Sequence, residues 1–304
     1  MWIVLSGVLF GSQFVPSKYC PKFRPGPYNI SMALGILAGS ILTVLALGTS
    51  GTVPGLFILC FIGGMTWVLG NYLLIRAVAM AGMARAFVIV NFSAVLSFIG
   101  GAMFLGELGG VTLPGLAMIL AAVTMVILGS FLVTTTVPKG GDHSPSTAGN
   151  AVRRGLAAAL AATVFFSAYN VMIAHALNRA GMTAPAAFMS IAPGIVVGAV
   201  LVAILAGDGG LADWKAAQAR WHILAATQGI IWAAAMVCIM FGWMGTGISV
   251  GTPVQVGTQT LASSLWGIAF FGEFRGLEKK TAAYARLAAG AVVTVAGILV
   301  MTFV

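Results

Sequence analysis

Charge is what this chain has least of. Only 7% of its 304 residues are Asp, Glu, Lys or Arg, against about a quarter in soluble domains. The acids are Glu107, Asp142, Asp208, Asp213, Glu273 and Glu278, and none falls in the middle of an apolar run. The histidines, His143, His175 and His222, are scattered near loops and segment ends. Without a cluster of such groups there is no acid–base pair, and no HExxH, Walker A or nucleophile-elbow pattern appears. Hydrolysis and group transfer are therefore not expected, and the chain reads as neither an enzyme nor a holder of metal or cofactor. Cysteine is equally scarce. Cys20, Cys60 and Cys238 lie in or beside apolar segments without CxxC spacing, which argues against a disulfide framework and a zinc site.

What fills the chain instead is apolar. Hydrophobic residues make up 60% and glycine contributes 40 positions, a composition suited to closely packed membrane helices. The runs do not alternate apolar with polar, so they are not the strands of a β-barrel. Segments of about 17 to 25 apolar residues can span a bilayer as helices. Ten are expected here: 2–17, 29–48, 54–79, 84–106, 112–134, 154–178, 184–206, 221–244, 248–272 and 283–303. The opening run, Met1 to Val15, reads as a retained helix, because no Ala-x-Ala-like cleavage site follows it. The expected fold class is an all-α polytopic membrane protein.

The formal net charge of +9 does not mark a nucleic-acid surface, since the basic residues sit at segment ends and in loops. In a ten-helix layout, Lys18, Lys22, Arg24, Arg76, Arg85, Lys139, Arg153, Arg154, Lys215, Arg220, Arg275, Lys279, Lys280 and Arg286 share one face, and Arg179 alone takes the other. The positive-inside rule then places both termini outside the cytoplasmic membrane of a prokaryote. The longest polar interval, rich in Pro, Gly, Ser and Thr, divides the chain into a repeat at 1–134, a cytoplasmic linker at 135–153 and a repeat at 154–304. The loop at 207–220 carries Asp208, Asp213, Trp214, Lys215 and Arg220 and suits a short interfacial helix.

The two parts echo each other. Phe-x-Gly-Glu-x-x-Gly occurs at Phe104–Gly110 and again, 166 residues on, at Phe270–Gly276. Gly64 and Trp67 match Gly229 and Trp232, and Phe10, Ser12 and Phe14 match Phe165, Ser167 and Tyr169. Five helices per repeat is an odd number, so the second copy must thread the bilayer in the opposite sense to the first. Inverted repeats of this kind are typical of alternating-access transporters, with the substrate near the bilayer midplane.

Ten helices in two parts, each with a Gly-Glu closing its fourth helix, resemble the drug/metabolite transporter superfamily. The stretch Leu9-Phe10-Gly11-Ser12-Gln13-Phe14-Val15-Pro16-Ser17-Lys18, with Gly26-Pro27-Tyr28-Asn29, is similar to its sugar-transporter branches, the glucose/ribose porters and rhamnose transporters. The resemblance implies a small-molecule substrate, a sugar before others. Many members of the superfamily have cytoplasmic termini, and the charge pattern here departs from that.

Candidate binding residues are polar or aromatic positions on apolar helices. Thr252, Gln255, Gln259, Ser263 and Trp266 recur at steps of three and four, one side of a helix. Asn91, Ser93 and Ser97 occupy the corresponding helix of the first repeat, and Ser93 aligns with Gln259. Carboxamides offer donors and acceptors to a neutral solute; bonding between helices is the competing role. Gln13, Asn71, Tyr169, Asn170 and Gln228 add polar groups at similar depth, while Trp67, Trp232 and Trp266 can stack on a sugar ring or anchor an interface. Glu107 and Glu273, with His175, are candidates for proton coupling or a gate; a plain helix-end device is the alternative for the two carboxylates. The function expected is secondary transport of a small polar solute, a sugar leading and protons a candidate partner. Export of amino acids, metabolites or drugs on the same scaffold is the alternative. Composition does not indicate an oligomeric state.

Overall fold

The computed structural model describes residues 1–20, 23–49, 54–81, 83–136, 149–205, 210–270 and 280–301. Among them there are helices and turns and no strand. In chain order the helices are α1 (Trp2–Ser12), α2 (Pro25–Leu47), α3 (Pro54–Ala81), α4 (Met83–Asn91), α5 (Ser93–Phe104) and α6 (Leu113–Thr136). There follow α7 (Gly149–Ala174), α8 (Ala184–Leu205), α9 (Gly210–Ala216), α10 (Ala219–Ala269) and α11 (Lys280–Met301). Pro25 and Pro54 each open a helix, where a missing N–H and a preset φ do no harm. Among the described residues, eight helical spans are long and apolar enough to cross a bilayer, α4 and α5 together making one of them, and α1 is a shorter apolar helix. Large apolar side chains such as Leu45, Met103, Leu160, Leu265 and Val292 stand exposed around the outside. Apolar surface on that scale fits lipid rather than water, and the chain is an integral membrane protein.

Three boundaries differ from expectation. The first helix stops at Ser12 rather than 17, and a 3₁₀ turn at Pro16–Tyr19 follows it. The segment expected at 84–106 is broken at Phe92, whose N–H reaches back only three residues, to Ile89. Asn91 and Ser93 flank that break, and such side chains compete with the helical ladder for backbone groups. Residues 149–153, expected in the linker, already belong to α7, which ends in a π turn at His175–Arg179. Residues 135 and 136 likewise belong to α6, and the remainder of the linker, 137–148, lies outside the described residues, as does Glu273.

At 51 residues, α10 would run about 77 Å if straight, more than twice the roughly 30 Å hydrocarbon core. It is not straight. Gly247 sits at φ 71° and ψ 171°, a backbone conformation that a side chain disfavours. A Cβ on Gly251 would lie 2.7 Å from Cδ1 of Trp243, so the arms 219–246 and 248–269 fold back on each other.

Glycine sets the helix approaches. A Cβ on Gly35 of α2 would overlap the Ala226 carbonyl of α10, and one on Gly229 would overlap the Met32 carbonyl. The same happens between α3 and α8, where Gly64 meets the Ile191 carbonyl and Gly194 the Phe61 carbonyl. Both pairs run parallel. Gly7 and Gly11 likewise bring α1 against the second arm of α10, beside Thr258 and Ala262. Following the helix directions, Met1, Glu107, Arg179 and Gly247 lie toward one end of the bundle. Arg24, Arg76, Arg153, Arg154, Lys215, Arg220 and Arg286 lie toward the other.

Candidate functional site

Between these helices lies a cavity with about 130 Å³ of space that water can occupy. That is room for about four waters, and below the 300 Å³ or more of a typical ligand pocket. It sits near mid-height of the helices. Of the residues singled out in the sequence, Gln13, Trp67, Asn71, Asn91 and Ser93 line it from the part before the linker. Tyr169, Asn170, Trp232, Gln255 and Gln259 line it from the part after. Among the described residues, no charged side chain lines it.

The polar groups are held in pairs. Gln255 Nε2 donates to Oε1 of Gln259 at 2.6 Å, one helical turn away. Asn71 Nδ2 donates to Oδ1 of Asn29 at 3.0 Å, tying α3 to α2, and Asn170 Nδ2 donates to Oγ of Ser97 at 3.0 Å, tying α7 to α5. The hydroxyl of Tyr169 is directed at the Met236 sulfur, 2.9 Å away. Trp67 and Trp232, at matching places in the two parts, meet with ring centroids 4.8 Å apart, and Phe10 packs edge-on to Trp232 at 6.1 Å.

Three sequence candidates are placed elsewhere. Gln228 is buried between α2 and α10, where its carbonyl accepts from the Tyr28 hydroxyl and its amide reaches the Met32 sulfur at 3.4 Å. Ser263 turns its hydroxyl back to the Thr260 carbonyl at 3.1 Å, as serines in helices do. Trp266 donates its indole N–H to Ser12 Oγ at 2.8 Å and packs at a tilt against Phe270, ring centroids 4.5 Å apart. The stripe on the second arm of α10 is therefore split: its first half faces the cavity and its second half packs on α1. Helical periodicity shows that residues share a side, but a neighbouring helix crossing at an angle covers only part of it.

The cavity also has residues that the sequence reading passed over. Met236, Ile239 and Trp243 line it with Trp232, as do Phe87 and Phe166. The steps from 232 to 236, 239 and 243 are four, three and four, so the periodicity already put them on Trp232's side. Being apolar, they looked like packing.

Glu107 sits just past α5 and makes a defined contact. Its Oε1 accepts the Ile248 N–H at 2.9 Å and its Oε2 the Ser249 N–H at 2.8 Å. These are the first free donors of the second arm of α10, so the carboxylate caps a helix that starts 141 residues later. Ser249 Oγ also donates to the Phe98 carbonyl at 3.2 Å. Arg179 donates to the Leu105 carbonyl at the end of α5, and Asn178 to the Trp243 carbonyl at 3.1 Å. His175 is exposed on the π turn and does not line the cavity.

A second set of contacts lies at the opposite end. Arg24 and Asp213 pair at 2.8 Å, and Trp214 donates to Ser31 Oγ at 2.8 Å, strapping α9 across the start of α2. Ser31 Oγ also meets His222 Nδ1 at 2.8 Å. Beside this strap, burial pushes the Cys20 thiol up, and Arg220 opposes that shift. The described residues hold no cluster of His, Cys, Asp and Glu able to bind a metal ion.

No protein-family model matches the chain, and no curated protein matches it. A solved crystal structure does share its shape: it is 18% identical, aligns over 96% of this chain and 94% of its own, and has a TM-score of 0.68. At that identity the likeness shows the fold alone.

Proposed function

We propose that this protein is a secondary transporter of a small polar solute, a sugar before others, working by alternating access on the scaffold of the drug/metabolite transporter superfamily. The observation that carries this reading is the central cavity, whose described lining is uncharged, with carboxamides and indoles contributed by residues on both sides of the linker. Sugars suit such a lining, because amides offer donors and acceptors and aromatic faces cover the apolar side of a ring.

The mechanism follows from the pairing of helices. Counting both arms of α10, α1, and α4 with α5 as one, we infer ten crossings in two inverted repeats, 1–134 and 154–304. In support, the Gly35 and Gly229 contacts between α2 and α10 are repeated by Gly194 and Gly64 between α8 and α3. In this reading the bonds of Glu107 close one end of the cavity and the Arg24–Asp213 strap closes the other. Opening requires one set to part while the other holds. Protonating Glu107 would weaken both of its bonds, which makes it the proton-coupled gate to test. Fourteen basic residues against one support an orientation with the termini outside.

The deciding experiment is uptake into proteoliposomes of labelled sugars and amino acids, with and without a pH gradient. Saturable sugar uptake is expected, and Glu107→Gln should abolish any pH-driven accumulation while leaving downhill flux. Accumulation that survives the substitution sinks the coupling role. Phe10, Phe14, Phe87 and Phe166 in the lining support the second reading, an exporter of more apolar metabolites or drugs. Transport of amphipathic compounds with no response to sugars would favour it.

A further inference from the structure

Two residues of the cavity lining each carry a buried polar atom with no hydrogen-bond partner. The indole Nε1–H of Trp243 and the hydroxyl of Thr252 are buried without a hydrogen bond, in residues only 2% and 1% exposed. Both residues line the cavity, at its end nearest Gly247. They come from the two arms of α10, which the turn at Gly247 folds back so that both line one cavity. Gly251 makes the approach possible, since a Cβ there would meet the Trp243 ring at 2.7 Å. The Trp243 carbonyl accepts from Asn178, which ties the backbone of this residue to the π turn after α7. Burying a donor without an acceptor is costly, and such groups in a native structure mark something the site is built to receive.

We infer that Trp243 and Thr252 form a subsite for a neutral oxygen of the transported solute, a hydroxyl or ring oxygen, and that they select against carboxylates. This inference rests on the transporter reading. An indole can only donate, and a threonine hydroxyl can donate or accept, so their common partner is an oxygen with free lone pairs. A carboxylate oxygen would also have lone pairs, but its charge has no counterpart here. Among the described residues, no basic side chain lines the cavity. The N-terminus of the second arm of α10 is the place to receive an anion, yet its first two donors are taken by Glu107. That carboxylate bonds Ser249, one turn from Thr252, and would repel a second negative charge. The subsite therefore favours a hydroxylated neutral solute over a sugar acid or an amino acid.

The test uses the purified full chain in detergent, with D-glucose, L-rhamnose, D-glucuronate and L-glutamine as probes, and Trp243→Phe, Thr252→Val and Thr252→Ser as variants. A neutral sugar should bind the wild type, and Trp243→Phe and Thr252→Val should each weaken it about tenfold, the loss of one hydrogen bond. Thr252→Ser should restore binding. Without ligand, Trp243→Phe and Thr252→Val should melt no lower than the wild type, because each removes an unpaired atom; a purely structural role would lower both. Equal sugar binding by wild type and variants overturns the subsite and leaves the transporter reading standing, with water as the occupant of those two atoms. Glucuronate or glutamine binding as tightly as the neutral sugars overturns the selection against carboxylates. No neutral sugar bound by the wild type overturns both the subsite and the sugar reading.

Discussion

Glu107 shows how a single side chain takes its meaning from a distant partner. The sequence places it at the end of an apolar run in a repeated Gly-Glu, and both a gate and a helix-end device are consistent with that. Only the folded chain brings Ile248 and Ser249 N–H groups to its two oxygens. Glu107→Gln would put an amide NH₂ against one of those donors. It should lower stability by about 1 to 3 kcal/mol, read as a fall in melting temperature in detergent. Gln259 presents the opposite case. Gln259→Ala removes the acceptor of Gln255 inside the cavity, so solute affinity should fall about tenfold or more while the fold remains, as a binding isotherm would show. A change in melting temperature alone, with affinity intact, would return Gln259 to packing.

Among the elements, α10 has the most specific requirement. Gly247 combines a positive φ with a neighbour that leaves no room, since a Cβ would lie 2.5 Å from the Glu107 carboxyl carbon. Gly247→Ala should therefore cost at least about 1 to 2 kcal/mol from backbone strain and loosen the Glu107 cap as well. Gly245→Ala, two residues away with nothing near its Cβ, is the control and should be silent. The boundary between the expected segments 221–244 and 248–272 was legible from Gly245, Gly247 and the length limit of a span. The break at Phe92 was not, because 84–106 has the right length and hydropathy and its interruption depends on how α4 and α5 pack against α7. Thr163, for example, donates to the Ile89 carbonyl at 3.1 Å beside that break.

For the whole molecule, the questions are orientation and the motion that opens the cavity. All three native cysteines are buried, so a cysteine placed at exposed Asn150 reports cleanly. Asn150→Cys in intact cells should resist an impermeant maleimide added outside and react after permeabilisation; labelling from outside would reverse the proposed topology. The Arg24–Asp213 pair is exposed on both sides, with 65% and 45% of the side chains accessible, so it should contribute no more than about 1 kcal/mol to stability. Arg24→Ala should leave the melting temperature nearly unchanged. In the transport scheme it should still make a cysteine placed at Gln259 react faster with a maleimide entering from the Asn150 end, since it releases one tie of the strap.

The membrane class of this protein was determined by composition, because 60% hydrophobic residues and 7% charge cannot form a water-soluble surface. Period and spacing also put Trp67, Asn71, Trp232, Gln255 and Gln259 on polar or aromatic stripes, since a helix repeats every 3.6 residues whatever surrounds it. Which part of each stripe meets space and which meets another helix was left to the tertiary structure. Ser263 and Trp266 share a side with Gln259 yet pack on α1, and Gln228 is taken up by Tyr28. Trp243 and Thr252 enter the cavity wall because Gly247 turns the chain back on itself. Contacts between residues far apart in sequence depend on crossing angles and approach distances, and no local pattern encodes those.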